Sequence, residues 1–173
     1  MKKYFSGIGS RQTPGDVQQL MTRITVFLYS RGYILRSGGA AGADAAFEEG
    51  VPKDMPKEIY LPWQNFQGSN SSLYGIDPEA FDIAKKYHPA WDRLGKKGQR
   101  LIARNGYQVL GEDLKTPVDF IVCWTEGGKM VGGTAQALRI AKDFKIPIFN
   151  LGKDKDLEHI KTCLDTDQIF IKE

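Results

Sequence analysis

Apolar positions along this chain alternate between a strand period and a helix period. Residues 3–8 form a short apolar run that ends in Gly9-Ser10-Arg11, as a buried strand running into a turn does. Thr13-Pro14 then opens a helix, since proline is tolerated in a first turn. Val17, Leu20, Met21, Ile24, Phe27 and Leu28 follow at helical spacing, and Gly32 ends the segment. Residues 33–36 read as a second strand that runs straight into Ser37-Gly38-Gly39-Ala40-Ala41-Gly42-Ala43-Asp44. A helix over 43–49 closes at Gly50 and Pro52, and residues 57–61 read as a third strand. Strand–helix–strand–helix–strand is the pattern of a parallel sheet with helices on its faces.

The middle of the chain breaks this rhythm. Residues 63–75 are rich in Asn, Gln, Ser and Gly and read as a long loop, of the kind that is functional or disordered in a compact domain. Residues 78–87 and 91–105 read as two helices with weak apolar stripes, broken at His88-Pro89. The block 64–116 is too short for a core of its own and reads as an insertion. The sheet pattern then returns: a strand over 119–124, a glycine-rich loop over 125–133, a helix over 134–144 and a strand over 146–150. A weak helix over 156–163 and a last strand over 168–171 complete the chain. The expected architecture is α/β: a Rossmann-like parallel sheet, helices on both faces, and a helical insertion in the middle.

The chain has 173 residues, 41% hydrophobic and 26% charged. That predicts one globular domain, residues 1–173. No run approaches the ~20 apolar residues that span a bilayer, and the start Met1-Lys2-Lys3-Tyr4-Phe5 lacks the apolar segment of a signal peptide. A cytoplasmic location without membrane partners is the resulting expectation. Two cysteines, Cys123 and Cys163, lack the spacing of a zinc site or a disulfide framework. A net charge of +3 permits anionic ligands without demanding nucleic acid. Glycine, at 19 residues, is the compositional outlier, and it clusters.

Three strand ends feed polar, glycine-rich loops: Gly7-Ile8-Gly9-Ser10-Arg11, residues 37–44 and residues 125–134. In a parallel sheet those ends share one edge, and ligands bind in the crevice there. Glycine lets backbone N–H groups approach an anion, and a following helix N-terminus adds partial positive charge. The expected ligand therefore carries phosphate. Gly38, Gly39, Gly132, Gly133 and Thr134 would hold it through backbone N–H groups, with Gly9, Ala40 and Thr125 in the same loops. Hydroxyls of Ser10, Ser37 and Thr134 would donate to it, and Arg11 and Arg104, beside Asn105, would add charge-assisted hydrogen bonds. Gly38-Gly39 fits a ligand-free tight turn equally well. Asp44 follows the glycines directly and reads as a ribose or base acceptor, whereas Glu48 reads as a helix-dipole acid. Asp44 and Glu126 are the candidates for a catalytic acid or base. Trp124, beside the third loop, is the candidate to stack a base; Trp63 and Trp91 read as core. Arg93, Lys97, Arg100 and Arg104 fall at i, i+4, i+7 and i+11, which fits a solvated face or a phosphate-tracking surface. His88 reads as a structural hydrogen bonder and Cys123 as inert.

These motifs resemble the SLOG superfamily, which includes the DNA-processing protein A group and the Lonely Guy cytokinin-activating hydrolases. The resemblance rests on Gly9-Ser10-Arg11, on residues 37–44, and on Gly127-Gly128 through Gly132-Gly133-Thr134. The middle block, with His88-Pro89-Ala90-Trp91 and Ala103-Arg104-Asn105, looks like uncharacterised, largely phage-encoded members labelled DprA-like. The resemblance implies a Rossmann-like sheet with a nucleotide or nucleic-acid phosphate in the glycine loops, and functions that differ among members. Lonely Guy-type enzymes cleave the N-glycosidic bond of a nucleoside monophosphate, with paired glutamates soon after a Pro-Gly-Gly-x-Gly-Thr loop. Here Ala135-Gln136-Ala137 follows Thr134, so the expected glutamate is missing. Other members sense nucleotide signals without a catalytic acid. The expectation is thus a binder of a phosphorylated nucleotide-derived small molecule that senses or sequesters a signal. It needs no cofactor or metal, binds single-stranded DNA weakly at most, and forms a homo-oligomer. A nucleoside-phosphate N-glycosidase and a DprA-like recombination mediator are the alternatives.

Overall fold

Parallel strands need long crossovers, and this chain supplies helices for them. The computed structural model describes residues 1–172. In chain order come β1 (Lys3–Gly9), α1 (Gly15–Ser30), β2 (Tyr33–Ser37), α2 (Ala43–Glu49) and β3 (Glu58–Ile59). Then follow α3 (Pro78–Tyr87), α4 (Lys96–Leu110), β4 (Phe120–Trp124), α5 (Thr134–Asp143), β5 (Ile148–Asn150) and α6 (Asp154–Asp165). The five strands form one all-parallel sheet in the order β3-β2-β1-β4-β5. β1 lies at its centre, with Phe5 beside Phe120 and Gly9 beside Trp124.

Side chains alternate across the sheet, so each strand feeds two cores. Phe5, Phe120, Val122 and Phe149 face α1, α2 and α6, where Met21, Ile24, Leu28, Phe47 and Ile160 are fully buried. Ile8, Ile121 and Cys123 face the other side, against α3, α4 and α5. Burying each large apolar side chain stabilises the fold by roughly 1.5–3 kcal/mol before entropy is counted. Helices on both faces of a Rossmann-like parallel sheet are what the sequence pattern predicts.

The helical middle block is built into this architecture: α4 forms part of the second layer, and its latter half, Ile102 to Leu110, is wholly buried. Three details differ from the pattern. The helix expected over 91–105 is a short 3-10 turn, Trp91–Arg93, followed by α4, because Gly95 interrupts it and burial carries α4 five residues further. The loop after β3 is folded rather than loose. Leu61 N–H donates to Leu73 O at 2.8 Å, Tyr60 bridges to Leu73, and Phe66 is 3% exposed in the first core. The last strand does not form. Phe170 instead drops onto the sheet face and packs against Phe27, Phe120 and Phe149 at ring-centroid distances of 5.7–5.8 Å.

Candidate functional site

From β1 the connections run to β2 on one side, and β4 lies on the other. That reversal is a topological switch point, and the crevice outside the carboxyl ends of β1 and β4 is the default ligand site of such sheets. A cavity of about 670 Å³ opens there. Its walls are the loop after β1, the start of α2, the loop after β4, the start of α5 and one face of α4.

The first loop is locked to its neighbours. Ser10 O accepts from Thr13 N–H at 3.2 Å, the Thr13 hydroxyl at 2.6 Å and Ala43 N–H at 3.3 Å. Ser10 N–H donates to Trp124 O at 3.2 Å, and the Ser10 hydroxyl accepts from Gln12 N–H at 2.9 Å. A Cβ on Gly42 would stand 2.7 Å from the Arg11 backbone, so α2 can start here only from a glycine. Gly9, Ser10 and Arg11 line the cavity, with Arg11 exposed.

The second loop is placed differently from the expectation. Ser37 is fully buried and its hydroxyl donates to Gly7 O at 2.6 Å. Gly39, at φ +70°, lies against Leu61, whose Cδ2 is 2.7 Å from where a Cβ would stand. Neither lines the cavity; of residues 37–44, Ala40 and Asp44 do. Gly38 leaves space for other side chains. A Cβ there would meet Gln108 Nε2 at 2.1 Å and both Arg104 Nη1 and Asp44 Oδ2 at 2.8 Å. Three polar side chains converge on the space that this glycine leaves open.

Those side chains form the floor. Asp44 is 4% exposed, and Oδ2 accepts from Ala40 N–H at 3.2 Å. Burial pushes its carboxyl up to about 6, against the opposing pull of Arg104 and the Ala40 N–H. Arg104 is 6% exposed and donates to Gly38 O, to Tyr60 O at 3.1 Å and to Asn105 Oδ1 at 3.1 Å. The Phe66 ring lies 5.5 Å from its guanidinium. Burial lowers the Arg104 pKa to about 10, so it stays charged at neutral pH; Asp44 supports the charge and Arg11 opposes it. Asn105 Nδ2 then donates to Gly133 O at 3.0 Å. One turn of α4 thereby ties the second strand-end loop to the third.

The third loop is the open wall. Glu126, Gly132, Gly133 and Thr134 line the cavity, and a Cβ on Gly132 or Gly133 would meet nothing within 4 Å. Among the described residues the N–H groups of Gly132 and Gly133 have no acceptor, and they precede the ten-residue α5. Thr125 also lines the cavity, held by Asn150, which receives its N–H at 3.2 Å and donates to its hydroxyl at 2.7 Å.

Several expected residues lie elsewhere. Trp124 packs against the first core, on the sheet face opposite α4, and does not line the cavity. The basic stripe is not a free face: Arg93 sits on the separate turn, and on α4 Lys97, Arg100 and Arg104 turn toward the 60–66 segment, Lys97 6.0 Å from the Trp63 ring, Arg100 donating to Pro62 O at 2.8 Å, and Arg104 buried. Glu48 pairs with Lys57 at 2.8 Å, and His88 Nδ1 accepts from Ala90 N–H at 3.1 Å. Gln136, near where a Lonely Guy-type glutamate would fall, is fully buried and donates to Ala84 O of α3 at 3.2 Å. The sequence reading missed Gln108, Leu101 and Ile102 in the wall and Phe66 beneath the floor. Their signal was polar Arg104, Asn105 and Gln108 at i, i+1 and i+4 within an otherwise apolar helix half.

Among the described residues no helix is long and apolar enough to cross a membrane, and no group of three or more His, Cys, Asp and Glu side chains could hold a metal. No family model matches the chain, and a search of curated proteins found no match. Two solved structures share its fold. DNA processing protein A from Helicobacter pylori, described for its single-stranded DNA binding mode, aligns at a TM-score of 0.59 and 19% identity, over 95% of this chain and 79% of that one. The Moco carrier protein of Chlamydomonas rheinhardtii aligns at a TM-score of 0.51 and 17% identity, over 100% of this chain and 90% of that one. At these identities the likeness is one of fold, and it is the fold that the SLOG resemblance implies.

Proposed function

We propose that the cavity binds a phosphorylated nucleotide-derived small molecule, and that the protein senses or sequesters such a signal, as a homo-oligomer. The observation that carries this reading is the open Gly132-Gly133-Thr134 turn. Its two free N–H groups and the start of α5 face a cavity of about 670 Å³ at the switch point of a parallel sheet. Unpaired N–H groups at a helix N-terminus favour an anion. Arg11 at the same cavity adds a fixed positive charge. The volume falls within the ~300–1,000 Å³ usual for small-molecule sites.

Asp44 supports a second reading, N-glycoside hydrolysis of a nucleotide. A buried carboxyl with a pKa near about 6, lining the cavity, has the proton affinity that a general acid or base needs near neutrality. The likeness to DNA processing protein A supports a third, single-stranded DNA binding. Burial of Arg104 and the bond from Arg100 to Pro62 O leave little free basic surface on α4, which argues that such binding is weak. Thermal-shift screening of nucleotides, NAD derivatives and cyclic nucleotides tests the first reading. A ligand at ~100 times its dissociation constant stabilises by about 2.7 kcal/mol, and a flat screen across these classes refutes it. Release of free base that Asp44→Asn abolishes in a folded protein promotes the hydrolase. Tight, salt-sensitive retention of single-stranded DNA promotes the third reading.

A further inference from the structure

The packing leaves one buried side chain of the cavity unexplained. Exposure of the lining residues falls along α4, from half-buried Gly98 and Leu101 through Arg104 and Asn105 to Gln108, which is 3% exposed. The helix rises about 15 Å from Gly98 to Gln108, so Gln108 lies at the deep end. Its polar neighbours are all engaged: Arg104 with Gly38 O, Tyr60 O and Asn105, Asn105 with Gly133 O, and Asp44 with Ala40 N–H. Among the described residues the Gln108 amide makes no hydrogen bond, and its polar atoms stay open to the cavity that it lines. The fold nevertheless keeps it there. A Cβ on Gly38 would stand 2.1 Å from Gln108 Nε2, and an amide that meets only the cavity gives the unliganded fold no hydrogen bond that an apolar side chain of similar size would forfeit.

We infer that Gln108 is the specificity-determining residue of this cavity. Its amide reads a neutral donor–acceptor edge, from ribose or base, while the phosphate of the same ligand lies at Gly132–Thr134 (residues 132–134) and Arg11. This inference rests on the nucleotide reading above. A primary amide offers N–H donors and a carbonyl acceptor side by side, which matches a base edge or a pair of ribose hydroxyls. Phosphate presents acceptors, so it uses at most half of that amide. A site built to hydrogen-bond a substrate group discriminates strongly against analogues lacking it, because its own polar atoms are then left unpaired.

The test is titration calorimetry on the full chain with the ribonucleoside monophosphates, ribose 5-phosphate and orthophosphate, comparing wild type with Gln108→Met. Met keeps the unbranched shape and removes the hydrogen-bonding groups. The variant is expected to lose about ten- to hundred-fold in affinity for the preferred nucleotide, and to keep orthophosphate within about two-fold. Loss with ribose 5-phosphate as well as with nucleotide assigns the amide to the sugar; loss with nucleotide alone assigns it to the base. Urea unfolding of the unliganded variant should show equal or greater stability, whereas a purely structural Gln108 would give a loss. Should the Met variant not fold, Gln108→Leu likewise removes the hydrogen-bonding groups without adding charge and should show the same selective loss. Unchanged nucleotide affinity in a folded variant, or equal losses for nucleotide and orthophosphate, overturns the inference while leaving the nucleotide reading intact. Failure of wild type to bind any of these probes overturns the inference, and a flat thermal-shift screen across all three ligand classes overturns the nucleotide reading as well.

Discussion

Asp44→Asn tests the electrostatics of the cavity floor through stability alone, with no ligand. The carboxyl moves from an ordinary 3.8 to about 6 on folding because burial strips its water. The folded protein therefore holds this proton at pH values where the unfolded chain has released it. Below about pH 4 both states are protonated and burial of the ionised carboxyl costs nothing. As the pH rises from about 4 to about 6 the cost of ionising a buried group appears, and above about 6 it is present in full. A rise of about two units, at 1.36 kcal/mol per unit, sets that cost on the order of 3 kcal/mol at neutral pH. The measurement is urea unfolding of wild type and variant at steps across that range. The variant cannot titrate at this position, so variant-minus-wild-type stability should climb by that amount through the window and then level off. The slope carries the test rather than the offset, because the substitution also removes the charge that faces Arg104. A difference that stays flat refutes the desolvated carboxyl. A difference that falls with pH means that pairing with Arg104 outweighs burial.

Two further substitutions separate structure from binding. Gly39→Ala meets both the +70° backbone and Leu61 Cδ2 at 2.7 Å, so chemical unfolding should show a loss of about 1–3 kcal/mol; phosphate affinity per folded molecule should hold, since Gly39 does not line the cavity. Arg104→Ala removes the donor to Gly38 O and Tyr60 O and leaves Asp44 buried without its countercharge, a loss of about 3–5 kcal/mol. Lys97→Ala, on the exposed start of the same helix, should stay within about 0.5 kcal/mol, and equal small effects at both positions would mean that the floor is not held by Arg104.

The sheet was legible because buried parallel strands announce themselves as short apolar runs that lead into glycine-rich turns, as residues 3–9 do at Gly9 and residues 120–124 do just before Gly127-Gly128. The crevice was legible for the same reason, since strand ends in a parallel sheet share one edge. What a glycine is for was not legible. Gly38 and Gly39 read as a phosphate cradle, yet one leaves room for Gln108 and the other for Leu61. Both uses depend on residues at least 20 positions away. Trp124 was misplaced because strand alternation fixes its face only once Ile121 and Cys123 are known to lie opposite. The final strand failed because a sequence run shows β propensity but not the competing site, here an aromatic cluster that captures Phe170.

The five hydrogen bonds accepted and made by Ser10 have a consequence for the speed of binding. A carbonyl that takes Thr13 and Ala43 together fixes the first two loops relative to each other before any ligand arrives. The bonds of the loop from Lys129 to Gly133 are local, from Lys129 N–H to Glu126 O, Val131 N–H to Lys129 O, and Ala135 and Gln136 N–H to Gly132 O and Gly133 O, and among the described residues its tie to another element is the Asn105 bond to Gly133 O. Encounter then takes place on two rigid walls and one yielding wall. Only the few residues of the third wall have to be ordered, at roughly 1–2 kcal/mol each. Entry is accordingly governed by diffusion into a preformed corner, and escape by the reopening of that one loop. Amide exchange should register the asymmetry directly, slow at Thr13 and Ala43 in the free protein and fast at Gly132 and Gly133 until a ligand slows them.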